Sequence, residues 1–253
     1  MAARVAPENA ERRLYRRNTS IYDTNYGVIM NLQEFNSLGD RDKHDYIIMN
    51  FPSNARSLSK RKMVHMICFN DANYCTNPMV DGKKVMCPAY MTWKHMLNRV
   101  FSDKCHAKQP TYSGVTLCSA WLSFGGFLAW WQSNQVDGWQ LDKDLLSDSR
   151  EYSPESCLFV PSWLNKFTIN CGSARGEWPI GVHLEKETGR FRAACSNPIT
   201  SKFENLGRFS SPNDAHSAWL NRKLDLALEL KPKMDTIDAR IYQRVVTIIT
   251  RQK

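Results

Sequence analysis

The sequence predicts an α+β protein, and three patterns within its 253 residues carry that expectation. Apolar residues recur at helical spacing through the middle of the chain. Short apolar runs bounded by turn residues follow in two separate places. An amphipathic stretch with a stripe of isoleucine and valine lies beyond residue 233. Tyr90, Trp93, Met96, Leu97 and Val100 stand three or four apart, the spacing of one helix face. Pro110 and Gly114 punctuate a loop before the run Val115 to Cys118. A second helix is expected over Ser119 to Gln132, with Trp121, Leu122, Phe124, Phe127, Leu128 and Trp131 along it.

The first set of short runs is Gln140-Leu-Asp142-Lys143-Asp144, then Glu151 to Val160, then Pro161-Ser-Trp-Leu-Asn165-Lys166. It reads as a strand ending in carboxylates, a loop, an apolar strand and a helix that presents an amide about one turn in. The second set is Pro179 to Leu184, Arg190 to Asn197 and Phe203 to Phe209, with Lys186 to Gly189 and Asn197-Pro198 as turns. A three-stranded antiparallel sheet is expected there. Ser211 can cap the following helix, Pro212 suits its first turn, and Asp214 suits its positive end. Ala215, Ala218, Trp219 and Leu226 give that helix an apolar face toward the sheet, and Lys231-Pro232 is expected to end it. A last helix is expected over Asp235 to Thr250. Ile237, Ile241, Val245 and Ile248 lie along one side of it, and Arg240, Arg244 and Arg251 along another. It either covers the preceding unit or pairs with a second copy in a homodimer.

These patterns divide the chain into residues 1–62, a polar, basic and loosely packed extension; 63–171; 172–232; and 233–253. The extension carries Arg12, Arg13, Arg16 and Arg17 and the basic run Ser59-Lys60-Arg61-Lys62. A formal net charge of +9 suits a polyanionic partner. No stretch approaches the roughly twenty apolar residues of a membrane span, and no apolar core follows the arginines near Met1, so a cytoplasmic protein without a membrane partner is expected. The eight cysteines include no C-x-x-C pair and are expected to be mostly free thiols; a zinc site assembled from distant cysteines stays open.

Chemistry concentrates between residues 140 and 166. A strand–loop–strand–helix unit can bring Asp142 or Asp144 together with Asn165. Two oxygen donors there suit a hard divalent ion, Mg2+ or Mn2+, which would stabilise charge at a scissile phosphate. The plainer alternative is that the aspartates end a strand and Asn165 serves its helix.

Ordered matches run through the chain: Trp93-x-x-Met96-Leu97-x-Arg99, Pro110-Thr-Tyr112-x-Gly114, Leu117-Cys118-x-x-Trp121-x-x-Phe124, Leu141-Asp142-Lys143-Asp144, Tyr152-Ser-Pro154-Glu-Ser-Cys157 and Arg175-Gly176-Glu-Trp-Pro-Ile-Gly181-Val182. Over residues 63 to 232 this pattern resembles the phage HNH (ββα-metal) homing endonucleases. The resemblance implies a nuclease-like domain over 63–171, with Asp142, Lys143, Asp144, Ser156 and Asn165 in its catalytic and metal-binding positions. Those enzymes have a water-activating histidine at the end of the first strand. Here Lys143 holds that place in one register and Asp142 in the other, with His95 and His106 as candidate bases from outside the motif.

Ile180-Gly181-Val182, Arg190-Phe191-Arg192-Ala193, Leu206-Gly207-x-Phe209 and Ala215-x-x-Ala218-Trp219 resemble the Apetala-type (ethylene-response-factor-like) DNA-binding domain. Period-two geometry turns Phe191, Ala193 and Cys195 toward the helix, and Arg190, Arg192, Ala194 and Ser196 outward. The expected contacts to double-stranded DNA are Arg175, His183, Arg190, Arg192, Ser196 and Arg208, and fragment 172–253 is expected to bind DNA alone. The reading is therefore a metal-dependent DNA endonuclease of a phage acting in the host cytoplasm. Its rivals are a catalytically degenerate DNA-binding accessory or regulatory protein, and an interaction protein whose basic surface meets an acidic partner.

Overall fold

The structure, a computed structural model, describes residues 30–169 and 177–252. Three short helices come first: α1 (Leu32–Ser37), α2 (Asp40–Asn50) and α3 (Ala55–Ser59). Asn31 and Glu34 cap α1 reciprocally, as Asn54 and Ser57 cap α3. Gly39 gives α2 no side-chain cap. The carboxylate of Asp137, distant in sequence, accepts the Asp40 and Arg41 N–H groups instead, at 2.9 and 3.3 Å. This is a departure from the loosely packed extension expected up to residue 62. Phe35, His44 and Ile47 are buried, and Met30, Phe35 and Ile47 join the same core as the aromatics that follow. The arginines at 12 to 17 lie outside the described residues.

That core is built on α4 (Pro88–Phe101), whose Tyr90, Trp93, Met96, Leu97 and Val100 are all buried, as their spacing requires. A two-residue hairpin, β1 (Met79–Val80) and β2 (Lys83–Lys84), precedes it, and α5 (Asp103–Lys108) follows. The helix expected over Ser119 to Gln132 is broken. Ser119–Leu122 form a 3-10 turn, and Ser123 caps α6 (Phe124–Asn134) by accepting the Gly126 N–H. A serine side chain at that point competes with the helix interior and wins as a cap. Trp93 donates its indole N–H to the Trp121 carbonyl at 2.8 Å, so the turn packs onto α4.

Next come β3 (Thr116–Leu117), β4 (Gln140–Asp142), β5 (Glu151–Tyr152), β6 (Leu158–Val160) and α7 (Ser162–Thr168). β4 pairs antiparallel with β6, and β3 runs parallel to β5. The expected strand–loop–strand–helix order is present, but it straddles two cores. Leu141 and Phe159 belong to the first, whereas Leu145, Val160, Leu164 and Phe167 belong to a second.

The second core joins α7 to a three-stranded antiparallel sheet, β7 (Val182–Glu185), β8 (Arg190–Asn197) and β9 (Lys202–Phe209), and to helices α8 (Pro212–Asp235) and α9 (Ile241–Thr250). Ser211 caps α8 as expected. The helix then runs through Pro232 instead of ending there. A proline inside a helix forfeits its N–H bond to the carbonyl four residues back and crowds that carbonyl with its ring, a cost the packing on either side must offset. The residue four back, Leu228, is 59% exposed, while Leu230 and Met234 are held in the core on either side of the proline. In α9 the buried residues are Ile241, Val245 and Ile249, packed in the same core as α7 and α8, so its apolar face covers this chain's own helices. Phe191 corrects another expectation: it is half-buried and packs edge-on against Trp178, with ring centroids 4.9 Å apart, outside the core. Because Leu145, Val160, Leu164 and Phe167 complete this core, fragment 172–253 lacks part of its own interior. Among the described residues no helix is long and apolar enough to cross a membrane.

Lys223 is 8% exposed in this core, its ammonium 3.9 Å from the centre of the Phe167 ring. Burial pulls its pKa down from 10.5 to about 8. Folding therefore penalises the charged form. The penalty is complete below pH 8 and is relieved as pH rises toward 10.5. Lys223→Met is expected to raise unfolding free energy at pH 7 by about 2–3 kcal/mol. Chemical denaturation of both proteins across that pH range should show the advantage shrinking; an advantage constant with pH refutes the assignment.

Candidate functional site

Two surfaces carry the candidate chemistry. The first is the sheet face turned away from α8. Ala193 and Cys195 are buried at 0% and 1% exposure, which turns Arg190, Arg192, Ala194 and Ser196 outward, as period-two geometry expects. A bulge at Ala193/Ala194 carries one extra residue on β9. It lets Leu206 enter the core while Asn205 and Arg208 lie opposite Ala194 and Arg192 on the outer face. Gly207, at φ +116°, takes the conformation this requires of a residue without Cβ. His183, Arg192 and Arg208 thus form one row across three strands. Glu185 links two of them, 2.6 Å from Arg208 Nε and 3.8 Å from Arg192 Nε. The Arg208 hydrogen bond holds the Glu185 carboxyl below its usual range. Arg190 and Ser196 are exposed at either end of β8, and Phe203, opposite Ser196, is 82% exposed. Arg175 lies outside the described residues.

The second surface is the acidic end of β4. Asp142 Oδ1 accepts the N–H groups of Asp144 and Leu145 at 2.8 and 2.9 Å, so the chain turns over its own carboxylate. Burial first, then the Asp144 charge, holds the Asp142 carboxyl above the usual range. Lys143 is buried, its ammonium 2.5 Å from Asp144 and 5.9 Å from the centre of the Tyr152 ring. In that setting it donates to the Asp144 carboxylate. Ser156 is buried as well. It donates to the Glu151 carbonyl and accepts the Ser153 N–H, which folds the loop before β6. Asn165 donates to Gln140 Oε1 at 2.9 Å, at the opposite end of β4 from Asp142. At a strand rise of about 3.4 Å per residue, those two positions lie about 7 Å apart. Asn165 Oδ1 is buried without a hydrogen-bond partner.

In this arrangement no hydrogen bond joins Asn165 to Asp142 or Asp144, so holding one divalent ion between them would require these side chains to shift. One Asp142 oxygen holds two amides, Asp144 holds an ammonium, and Asn165 engages the other end of the hairpin. Among the described residues no three His, Cys, Asp or Glu side chains converge, and the seven cysteines there are free thiols. Of the two histidines considered as bases, His106 is tied to the Arg99 carbonyl at 2.8 Å, and His95 is exposed on α4.

Sequence reasoning missed how many cations surround this end of β4. Tyr112, Lys143, Asp144, Asp148, Arg150 and Arg244 line a polar cleft of about 290 Å³. From α9, Arg244 donates to the Asp144 carbonyl at 2.7 Å and pairs with Asp148 at 2.6 Å, and Arg251 pairs with Asp148 at 2.9 Å. The arginine stripe of α9 was legible as a stripe, but its destination a hundred residues away was not. Comparison with known proteins finds no matching family model, curated protein or solved structure.

Proposed function

We propose that this chain binds double-stranded DNA through the outer face of its three-stranded sheet. The observation that carries the reading is the row His183, Arg192 and Arg208, flanked by Arg190 and opposed by the single carboxylate of Glu185. Strands about 4.8 Å apart make the row about 10 Å wide, within a major groove about 12 Å wide. Arginine forks match guanine edges and phosphates alike, and the charge of +9 adds sequence-independent attraction. Anisotropy titration of labelled duplex across a salt series tests it. Binding should weaken steeply with salt; absence of binding at low salt refutes it.

A second reading is divalent-metal-dependent nicking by the β4–β6–α7 unit, as the endonuclease resemblance implies. It is favoured by the buried, partnerless Oδ1 of Asn165 on the helix that directly follows the hairpin. Leaving such an oxygen unsatisfied costs about 1–3 kcal/mol, which a bound donor or cation relieves. The expected result is magnesium- or manganese-dependent nicking of supercoiled plasmid that chelator stops. Asp142→Ala and Asn165→Ala should lose most of that activity while keeping DNA affinity. Lys143→His should retain or raise it, since a neutral imidazole accepts a proton near pH 7. Wild-type protein that binds plasmid and never nicks it rejects this reading and leaves the first standing.

A further inference from the structure

Ahead of α4, the chain makes a turn that folding alone does not explain. Val64 and Cys68 exchange backbone hydrogen bonds at 2.6 and 2.9 Å, closing a tight loop over His65, Met66 and Ile67. His65 and Met66 are both left-handed, at φ +48° and +66°. Neither is a glycine or an asparagine, so the conformation costs energy at two successive residues. The surroundings hold it in place. His65 Nε2 lies 3.0 Å from Asn98 Oδ1, its ring stands 5.8 Å from that of Phe101, and Cys68 is fully buried. The result is an apolar tip aimed into water: Met66 is 86% exposed, Met63 57% and Ile67 48%. An exposed methionine adds nothing to the fold that an asparagine would not supply with less strain.

The charge around the tip selects its partner. From Tyr46 to Asn70 there is no aspartate or glutamate, while Arg56, Lys60, Arg61, Lys62 and His65 fall within that span. Lys60 and Lys62 are exposed beside the tip, and Arg61 is anchored on the carbonyls of Asn70 and Tyr74 at 2.9 and 2.8 Å, which fixes the base of the loop. An apolar point preceded in the chain by a run of cations suits a polyanion with an apolar interior that can be opened. Stacked duplex DNA is such a ligand: methionine and isoleucine wedges slip between base steps and kink the helix while lysines hold the phosphates. We propose that the His65–Ile67 tip is a second DNA contact, in which Met66 is a wedge that bends the duplex. This rests on the chain binding DNA but not on the sheet being its reader.

The test uses the full chain and a duplex labelled at both ends for energy transfer, alongside the same duplex with a one-nucleotide gap. A gap removes the unstacking cost, so wild type should bend the intact duplex and prefer the gapped one at least about fivefold. Met66→Asn suits a left-handed position, so it should melt at or above the wild-type temperature. It should nevertheless lose both the bend and the gap preference. Lys60→Ala with Lys62→Ala should reduce the salt slope by about two units and leave the gap preference in place. Equal bending by wild type and Met66→Asn overturns the wedge and leaves DNA binding by the sheet untouched. Absence of any duplex binding overturns both. Binding of the tip to anionic phospholipid vesicles, lost in Met66→Asn while DNA bending is unchanged, assigns it to a membrane surface and also overturns the wedge.

Discussion

Replacing Arg192 and Arg208 together by alanine is expected to lower affinity for a preferred duplex about 10²–10⁴-fold, with the fold intact. Each arginine that reads a guanine edge contributes about 1–3 kcal/mol at that site. Each that meets only a phosphate lowers the salt slope by about one unit. The two lie directly opposite each other across β8 and β9, so both reach one groove or neither does. Glu185 makes the expectation sharper. It holds Arg208 at 2.6 Å and stands 3.8 Å from Arg192, keeping two like charges side by side without a ligand. Glu185→Gln should therefore raise affinity for any DNA and steepen its salt dependence, while narrowing the gap between preferred and random sequences. Anisotropy titrations over a salt series measure all three proteins. If the double variant binds like wild type, the sheet face is not the reader.

Gly181→Ala is expected to be the most damaging single small substitution in the sheet. The residue sits at φ +81°, and a Cβ placed there would lie 2.1 Å from the Trp219 ring atoms Cδ1 and Cγ. Trp219 is 4% exposed in the core and has no slack to give. Overpacking and the left-handed backbone together cost about 2–4 kcal/mol. In a chain of this size that lowers Tm by roughly 5–15 °C. Gly181 also accepts the N–H of Ala194 at 2.9 Å, at the bulge that turns Arg208 outward, so DNA affinity should fall with stability. Calorimetry gives the check: a Tm within a degree of wild type contradicts this account of the close approach.

What the sequence disclosed follows from which contacts are local. The α4 face, the three strands, the Ser211 cap and the outward arginines of β8 depend on spacing within one element, and residue type reports that directly. Of the N-terminal helices, α2 was not legible because it owes its cap to Asp137, nearly a hundred residues away. By contrast, α1 and α3 carry local capping pairs, Asn31 with Glu34 and Asn54 with Ser57, too short-ranged to reveal that Phe35 of α1 joins the core. The outward turn of Arg208 depends on a bulge that no strict alternation contains. At the acidic end of β4 the order of elements was readable, but the partners were not. Asn165 chooses Gln140 and Lys143 chooses Asp144, and a donor list cannot foresee which neighbour wins. The shared second core escaped notice for the same reason, since Leu145 and Phe167 look like members of whatever segment they lie in.

The shared core has a consequence for how the protein is made. The first core draws its buried residues from Met30 to Phe159, so it can close while later residues are still being added. The second needs Leu145 and Val160 at one extreme and Ile249 at the other. During synthesis the arginine-bearing sheet therefore emerges with Trp219 and Leu226 awaiting their cover. A growing chain still attached to the ribosome would carry a finished first core beside an unfinished second one. A nascent chain halted at residue 240 should be cut readily by protease in β7 to α8 and resist cutting around α4. Release past Ile249 should protect both. DNA affinity, on this account, is acquired only once Ile249 is available to close the second core.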